Sequence, residues 1–277
     1  MTAGPRRRAL HSLIGVYALV RRTGFLDTRA GQALFASAYF TYKKYVEDPY
    51  AGLARTRPEL FQGGNILDVG ANIGYTATVF AKGVSEGCRV HAFEPEAFNF
   101  RLLERASRAR AVRGRIVPVR AAVGDTDGTI TLRLNPDHHG DHRVVPPGTG
   151  APVVNPALES TVPVLRLDTY AHAQGIFERI AFIKIDVQGY ETAVCRGMRG
   201  ILAANPRAAV SLEYMPEAMV ALGQSPESLL AEFPAPAWTT QLVGHDGRLL
   251  PGDRAALDAA VRRTGYVDLL LSRTAIQ

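Results

Sequence analysis

The sequence predicts an α/β domain built on a mostly parallel sheet with helices on both faces. Three observations carry that reading. Short apolar runs alternate with helix-length segments from residue 65 onward. The first run closes in a glycine turn, Asp68-Val69-Gly70-Ala71-Asn72-Ile73-Gly74, and the second ends in an acid, Phe93-Glu94-Pro95. Strands separated by helical segments of this length cannot pair as hairpins and call for parallel crossovers. Strands of such a sheet are buried on both faces, so their runs are apolar without alternation.

Taken in order, residues 1–60 read as helical. One stripe holds Leu10, Leu13, Ile14 and Tyr17, and a second holds Leu34, Phe35, Ala38, Tyr39, Tyr42 and Val46. Asp48-Pro49 and Arg57-Pro58 punctuate this front before the first strand. The front is read as a cap over a cleft, or else as a packing or dimer surface through which two chains would pair. Residues 61–277 form the α/β domain. Its expected strands are 65–69, 89–93, 116–123, 180–187 and 209–213, and its expected helices 75–82, 97–111 and 191–204. Residues 238–243 and 266–271 flank the turns His245-Asp246-Gly247 and Pro251-Gly252-Asp253, which suits an antiparallel pair at one edge. Between 125 and 167 the rhythm breaks: 129–134 reads as a strand, 135–142 is polar and rich in histidine, and 146–156 is loop. A long irregular stretch in a compact domain is usually functional, so it is expected at the mouth of the site.

The formal charge is +6, almost all of it from arginine, since lysine occurs only at positions 43, 44, 82 and 184. Arginine is spread along the chain, with one tight run at Arg6-Arg7-Arg8. That distribution, with no aromatic-basic stripe and no Asn-Pro-Pro-aromatic motif for a flipped base, argues against a nucleic-acid partner. Cys88 and Cys195 are far apart and suggest neither a disulfide framework nor a zinc cluster. The apolar run at 13–20 is short, is followed at once by Arg21 and Arg22, and has no convincing cleavage pattern. No integral membrane segment is expected, and the chain is read as cytoplasmic.

The glycine turn and Glu94 together point to a nucleotide-like ligand. A dinucleotide would want G-x-G-x-x-G, so that backbone meets a pyrophosphate at a helix N-terminus. Here the glycines read G-x-x-x-G, and the carboxylate of Asp68 stands where a diphosphate would be repelled. The pattern suits a ligand with positive charge, a diol and no phosphate. S-adenosylmethionine fits, its ribose hydroxyls falling to Glu94.

Four ordered motifs then resemble the FkbM family of S-adenosylmethionine-dependent methyltransferases over residues 65–243. They are Asp68-Val69-Gly70-Ala71-Asn72-Ile73-Gly74-Tyr75, Phe93-Glu94-Pro95, Ala121-Ala122-Val123-Gly124-Asp125 and Ile183-Lys184-Ile185-Asp186-Val187-Gln188-Gly189-Tyr190-Glu191. The resemblance implies a class I, Rossmann-like sheet of seven strands with an antiparallel strand at one edge. It also implies O-methylation of a small molecule such as a sugar, polyketide or other secondary metabolite. It places Asp68, Gly70, Asn72 and Gly74 at the methionine side of the cofactor, Glu94 at the ribose, and Ala122, Val123 and Asp125 along the adenine. Gln188 and Tyr190 depart from the commoner family residues.

For the transfer itself, Lys184 and Asp186 share one face of a strand by period-two alternation, with Asp186 at the carboxyl end where ligands bind in open sheets. His139 and His142, in the histidine-rich loop, are the candidate general bases beside Asp186. Arg143, Lys184 and Glu213 are candidate substrate contacts. The histidine and aspartate spacing fits no metal-ligand pattern, so no metal is expected. The rival readings are a nicotinamide-dependent Rossmann oxidoreductase and a non-catalytic methyltransferase-like binding module.

Overall fold

The structure is a computed structural model, and it describes residues 28–46, 48–135, 142–145 and 158–273. Two helices lead, α1 (Arg29–Val46) and α2 (Pro49–Thr56). The start of α2 is set by Pro49 in its first turn and by Asp48, whose carboxylate accepts the Ala51 N–H at 2.7 Å. Of the apolar stripe expected on α1, Phe35, Tyr39 and Tyr42 are half-buried. Ala38 is exposed and Leu34 is 63% exposed. Aromatic contacts fasten α1 to the domain, Phe40 against Tyr75 at 5.3 Å and Phe35 against Phe98 at 6.3 Å between ring centres.

The expected alternation follows: β1 (Asn65–Val69), α3 (Tyr75–Gly83), β2 (Val90–Phe93), α4 (Ala97–Ser107) and β3 (Ile116–Val119). The run expected as one strand at 116–123 is two. It ends at β3 and resumes as β4 (Ala122–Val123) in a different sheet. Pro118 cannot donate to a ladder on both sides, and β3 accordingly occupies the edge of the main sheet. Next come β5 (Gly128–Arg133), β6 (Arg143–Val145) and β7 (Glu159–Leu165), which with β4 form a four-stranded sheet in the order β4-β7-β5-β6 that the sequence pattern did not disclose.

The chain then returns through α5 (Leu167–Ala173) to β8 (Ile180–Ile185), α6 (Glu191–Arg196) and α7 (Arg199–Ala204). The helix expected over 191–204 breaks at Gly197, where a Cβ would lie 2.0 Å from the Gly124 carbonyl oxygen. Close backbone packing there takes precedence over helix continuity. The last elements are β9 (Ala209–Tyr214), α8 (Pro216–Ala221), α9 (Pro226–Leu230), β10 (Thr239–Val243), β11 (Leu249–Pro251), α10 (Arg254–Thr264) and β12 (Val267–Ser272).

The main sheet has eight strands in the order β11-β10-β12-β9-β8-β1-β2-β3. β1 is parallel to β2 and β8, and β8 is parallel to β9. β12 is antiparallel to both β9 and β10, so one reversed strand lies inside the sheet, and β11, antiparallel to β10, is the expected reversed strand at the edge. β11 adds an eighth strand outside β10. Alternate residues of the central strands feed two cores. Ile66 and Phe182 join Phe61 and Phe80 on one face, while Leu67, Val69, Ile183 and Ile185 join Met198, Ile201 and Leu212 on the other. Connections leave β1 toward β2 on one side and reach β8 on the other, so the order reverses at β1. Ligands in open α/β sheets bind at such a point, beyond the carboxyl ends of the strands. Among the described residues no helix is long and apolar enough to cross a membrane.

Candidate active site

At that reversal point lies an open cleft. Its floor is the carboxyl ends of β1, β2 and β8, lined by Gly70, Asn72, Glu94, Asp186 and Gln188, with buried Lys184 just beneath. The small sheet contributes Leu132, His142 and Val144, and the N-terminal front contributes Tyr39 and Lys43 of α1.

The turn after β1 takes its shape from its glycine. Gly70 has φ +75°, and a Cβ there would lie 1.8 Å from the Asp186 carbonyl oxygen, so the backbones of the β1 and β8 turns touch. All five amides of residues 70–74 are spent within the protein. Gly70 and Ala71 donate to the Phe93 carbonyl at 3.1 and 2.9 Å, Asn72 to Glu94 Oε2 at 2.9 Å, Ile73 to Asn72 Oδ1 at 2.7 Å, and Gly74 to the Ala71 carbonyl at 2.9 Å. A pyrophosphate would find no turn amide to bind, which is the structural argument against a dinucleotide.

Glu94 lines the cleft, each oxygen fixed by a backbone donor, Asn72 N–H on Oε2 and Glu96 N–H on Oε1, both at 2.9 Å. Burial pushes its carboxyl up to about 8 despite those two donors. Each oxygen keeps a further lone pair for a ligand hydroxyl. Ala122 and Val123 line the same end with Leu132 and Val144, an apolar slot suited to a flat ring.

At the other end, Asp186 is 36% exposed to the cleft, and its carboxylate receives Lys184 Nζ at 3.3 Å and Gln188 Nε2 at 3.0 Å. Burial pushes its carboxyl up, but Lys184, the Gln188 amide and Lys43 together outweigh that and hold it below the usual carboxylate range. Gln188, at φ +56°, spends its second amide proton on Glu213 Oε2, also at 3.0 Å. The loop beneath is closed by Glu191, whose Oε1 accepts the Val187 and Gly189 N–H groups at 3.1 and 3.2 Å.

Several expected roles change. Asp68 does not line the cleft: it is wholly buried beneath it, paired with Lys184, so it neither touches a ligand nor repels a diphosphate. Lys184 is 4% exposed and spent on Asp68, Asp186 and the Gly70 carbonyl, which makes it a strut under the floor and not a substrate contact. Gly74 caps α3 and packs under Leu103, and Asp125 and Glu213 lie off the cleft, Glu213 behind Gln188. Arg143 sits in β6 opposite Arg133, also away from the lining. His142 does line the cleft, yet its Nδ1 accepts the Asn135 N–H at 3.0 Å. The neutral ring then carries its proton on Nε2, so it offers a donor, and taking up a proton would break that bond. His139 lies outside the described residues. Tyr39, Lys43, Tyr75 and Gln188 were missed. The sequence signal for the first two is their i, i+4 spacing on the leading helix.

A sheet that reverses order at β1, with a glycine turn there, a carboxylate at the end of β2 and another just past the end of β8, defines a class I, Rossmann-like methyltransferase. The Methyltransferase FkbM domain profile matches residues 68–227, more than half of the chain. The chain belongs to the FkbM methyltransferase family. Similar solved structures include cofactor-bound Rv0187 from MTB, at 13% identity and TM-score 0.47, covering 90% of this chain and 94% of that one. Another is an O-methyltransferase from Bacillus cereus in complex with SAH, at 13% identity and TM-score 0.46, covering 93% and 98%. A third is a SAM-dependent O-methyltransferase from Thermotoga maritima, at 12% identity and TM-score 0.40, covering 83% and 67%. A search of curated proteins found no match.

The residues present fit S-adenosylmethionine by the chemistry of the donor set. The cleft offers a carboxylate beside an apolar slot at one end, a second carboxylate at the other, and a turn whose amides are all occupied.

Proposed function

We propose that this protein methylates a hydroxyl of a small-molecule acceptor, such as a sugar or polyketide, with S-adenosylmethionine as donor. The observation that carries the reading is Asp186, an ionised carboxylate open to the cleft on the opposite side from Glu94. Bound S-adenosylmethionine supplies an electrophilic methyl group on a sulfonium, so the protein has only to align the acceptor, hold its proton and exclude water.

Glu94 holds the ribose diol, and Ala122, Val123, Leu132 and Val144 flank the adenine. Asp186 accepts the hydrogen bond of the acceptor hydroxyl and holds its proton as oxygen becomes bonded to carbon. Its lowered pKa keeps it ionised and able to orient the hydroxyl across the working pH range. Lys184 and Gln188 fix where its two oxygens point. The His142 Nε2–H gives the acceptor a second, donating contact. The rings of Tyr39, Tyr75 and Tyr190 line the same cleft and shield it from water.

The test is calorimetry of the pure protein with S-adenosylhomocysteine, followed by incubation with S-adenosylmethionine and a panel of hydroxylated sugars and polyketides, reading release of S-adenosylhomocysteine. Micromolar binding and acceptor-dependent release are expected. No binding, or no release with any hydroxyl acceptor while amines are methylated, overturns the reading.

A further inference from the structure

We infer that Lys43 of α1 receives the carboxylate at the methionine end of the donor, so that the N-terminal helix is part of the donor site and not only a wall for the acceptor. The inference rests on the donor being S-adenosylmethionine, as proposed above.

The first argument is position. Lys43 and Tyr39 are four residues apart on α1, hence on one face of it, and both line the cleft together with the β1 turn. The second is direction. Glu94 and the apolar slot take the adenosine, so the amino-acid part of the donor runs the other way, toward the start of α3 and the end of β8. The positive charge of Lys43 is felt there, helping to hold the Asp186 carboxyl below its usual range and easing the rise that burial imposes on Tyr75.

The third argument is charge. A methionine carboxylate entering that end meets the anion of Asp186 and needs a cation to offset it. Among the described residues that line the cleft, only Lys43 and Lys184 are lysine or arginine. Lys184 is already enclosed by Asp68, Asp186 and the Gly70 carbonyl at 3.6, 3.3 and 3.0 Å, beneath the floor. Lys43 comes from α1 and not from the floor, is half-buried, and holds its ammonium 6.0 Å from the centre of the Tyr39 ring. That contact limits its rotamers and lowers the entropic cost of a further bond. The helix carrying it is itself held, with Phe40 against Tyr75 and the Tyr75 hydroxyl donating to Asp48.

The experiment uses the full chain and two probes, S-adenosylhomocysteine and 5′-methylthioadenosine, which keeps the adenosine and the sulfur and lacks the amino acid. Lys43→Gln is expected to weaken S-adenosylhomocysteine by roughly tenfold or more, with 5′-methylthioadenosine changed by less than about twofold, and Lys43→Arg is expected to restore most of the loss. Equal affinity of Lys43→Gln and the native protein for S-adenosylhomocysteine overturns the inference and leaves the methyltransferase reading standing. Equal losses for both probes also overturn it, because the amino-acid end would then not be what Lys43 recognises. No binding of S-adenosylhomocysteine by the native protein overturns both.

Discussion

Asp68 and Lys184 stand opposite each other in the register of β1 and β8, with Lys184 Nζ 3.6 Å from Asp68 Oδ1, and neither side chain meets appreciable solvent. Among the described residues the Asp68 carboxylate meets no hydrogen-bond donor, so this ion pair is its main compensation. Burial pushes the Asp68 carboxyl up to about 6, while Asp186 and Asp68 outweigh burial at Lys184 and push the ammonium up to about 12. Removing one partner of a buried pair strands the other, at a cost of about 3–5 kcal/mol. Lys184→Met should therefore lower unfolding stability by about that amount in urea titration, and the double variant Asp68→Asn with Lys184→Met should recover a substantial part. Additive losses in the double variant would show that the two residues are not coupled.

The pH dependence of stability follows from four carboxyls withdrawn from solvent, Asp68, Glu94, Glu191 and Glu213, the last pushed well above its usual range by burial and then by Asp186. Burial raises Asp68 to about 6, Glu191 to about 7 and Glu94 to about 8. A carboxyl whose folded pKa lies above its unfolded value gives stability that is complete below the unfolded pKa and lost as pH rises through the folded one. Asp186 has the opposite sign: its contribution is present above the usual carboxylate pKa and is lost in acid. The ligand-free protein should thus be most stable near pH 5, with Tm falling steadily toward pH 8. A Tm that climbs over that interval would contradict these raised values.

How far the sequence reached depends on what kind of interaction set each feature. The central strands were legible because Ile66, Leu67, Phe182 and Ile183 are apolar on both faces, a purely local signal. Gly70 was legible too, since a turn after a strand needs a residue that tolerates positive φ and close backbone. What Asp68 does was not legible: its partner Lys184 is brought to it by the parallel register, more than a hundred residues along the chain, and no spacing rule encodes that. The small sheet escaped for the same reason, because β4 pairs with β7 across a long insertion. His142 was picked out by its chemistry. The Asn135 N–H that fixes its tautomer depends on how the loop closes, which residue type alone does not reveal.

Glu94 makes donor affinity sensitive to pH. In the free protein burial holds its carboxyl near 8, so at pH 7 it is largely protonated, whereas accepting both ribose hydroxyls calls for the ionised form. Binding should expel a proton, and affinity for S-adenosylhomocysteine should rise between pH 6 and pH 8, up to about tenfold per unit. Calorimetry in buffers of different ionisation enthalpy measures the proton directly. Glu94→Gln should bind more weakly and without the pH slope; a slope that survives in that variant would assign the proton elsewhere.

Asp186 and His142 make different forecasts for turnover, and the geometry separates them. If Asp186 orients the hydroxyl and holds its proton, Asp186→Asn should reduce transfer by roughly 10²–10⁴-fold while S-adenosylhomocysteine affinity changes only a few-fold. The variant should fold, because Lys184 keeps Asp68 and the Gly70 carbonyl. His142→Gln removes only a donating contact and should cost less than about tenfold. The pH profile gives an independent reading. With Lys184 and Gln188 holding Asp186 ionised, the rate should show no histidine-like shoulder near pH 6–7 of its own, only the slope that Glu94 imposes through donor binding and that saturating donor removes. A shoulder that persists at saturating donor and disappears in His142→Gln would return the base to the histidine and leave Asp186 as a positioning group.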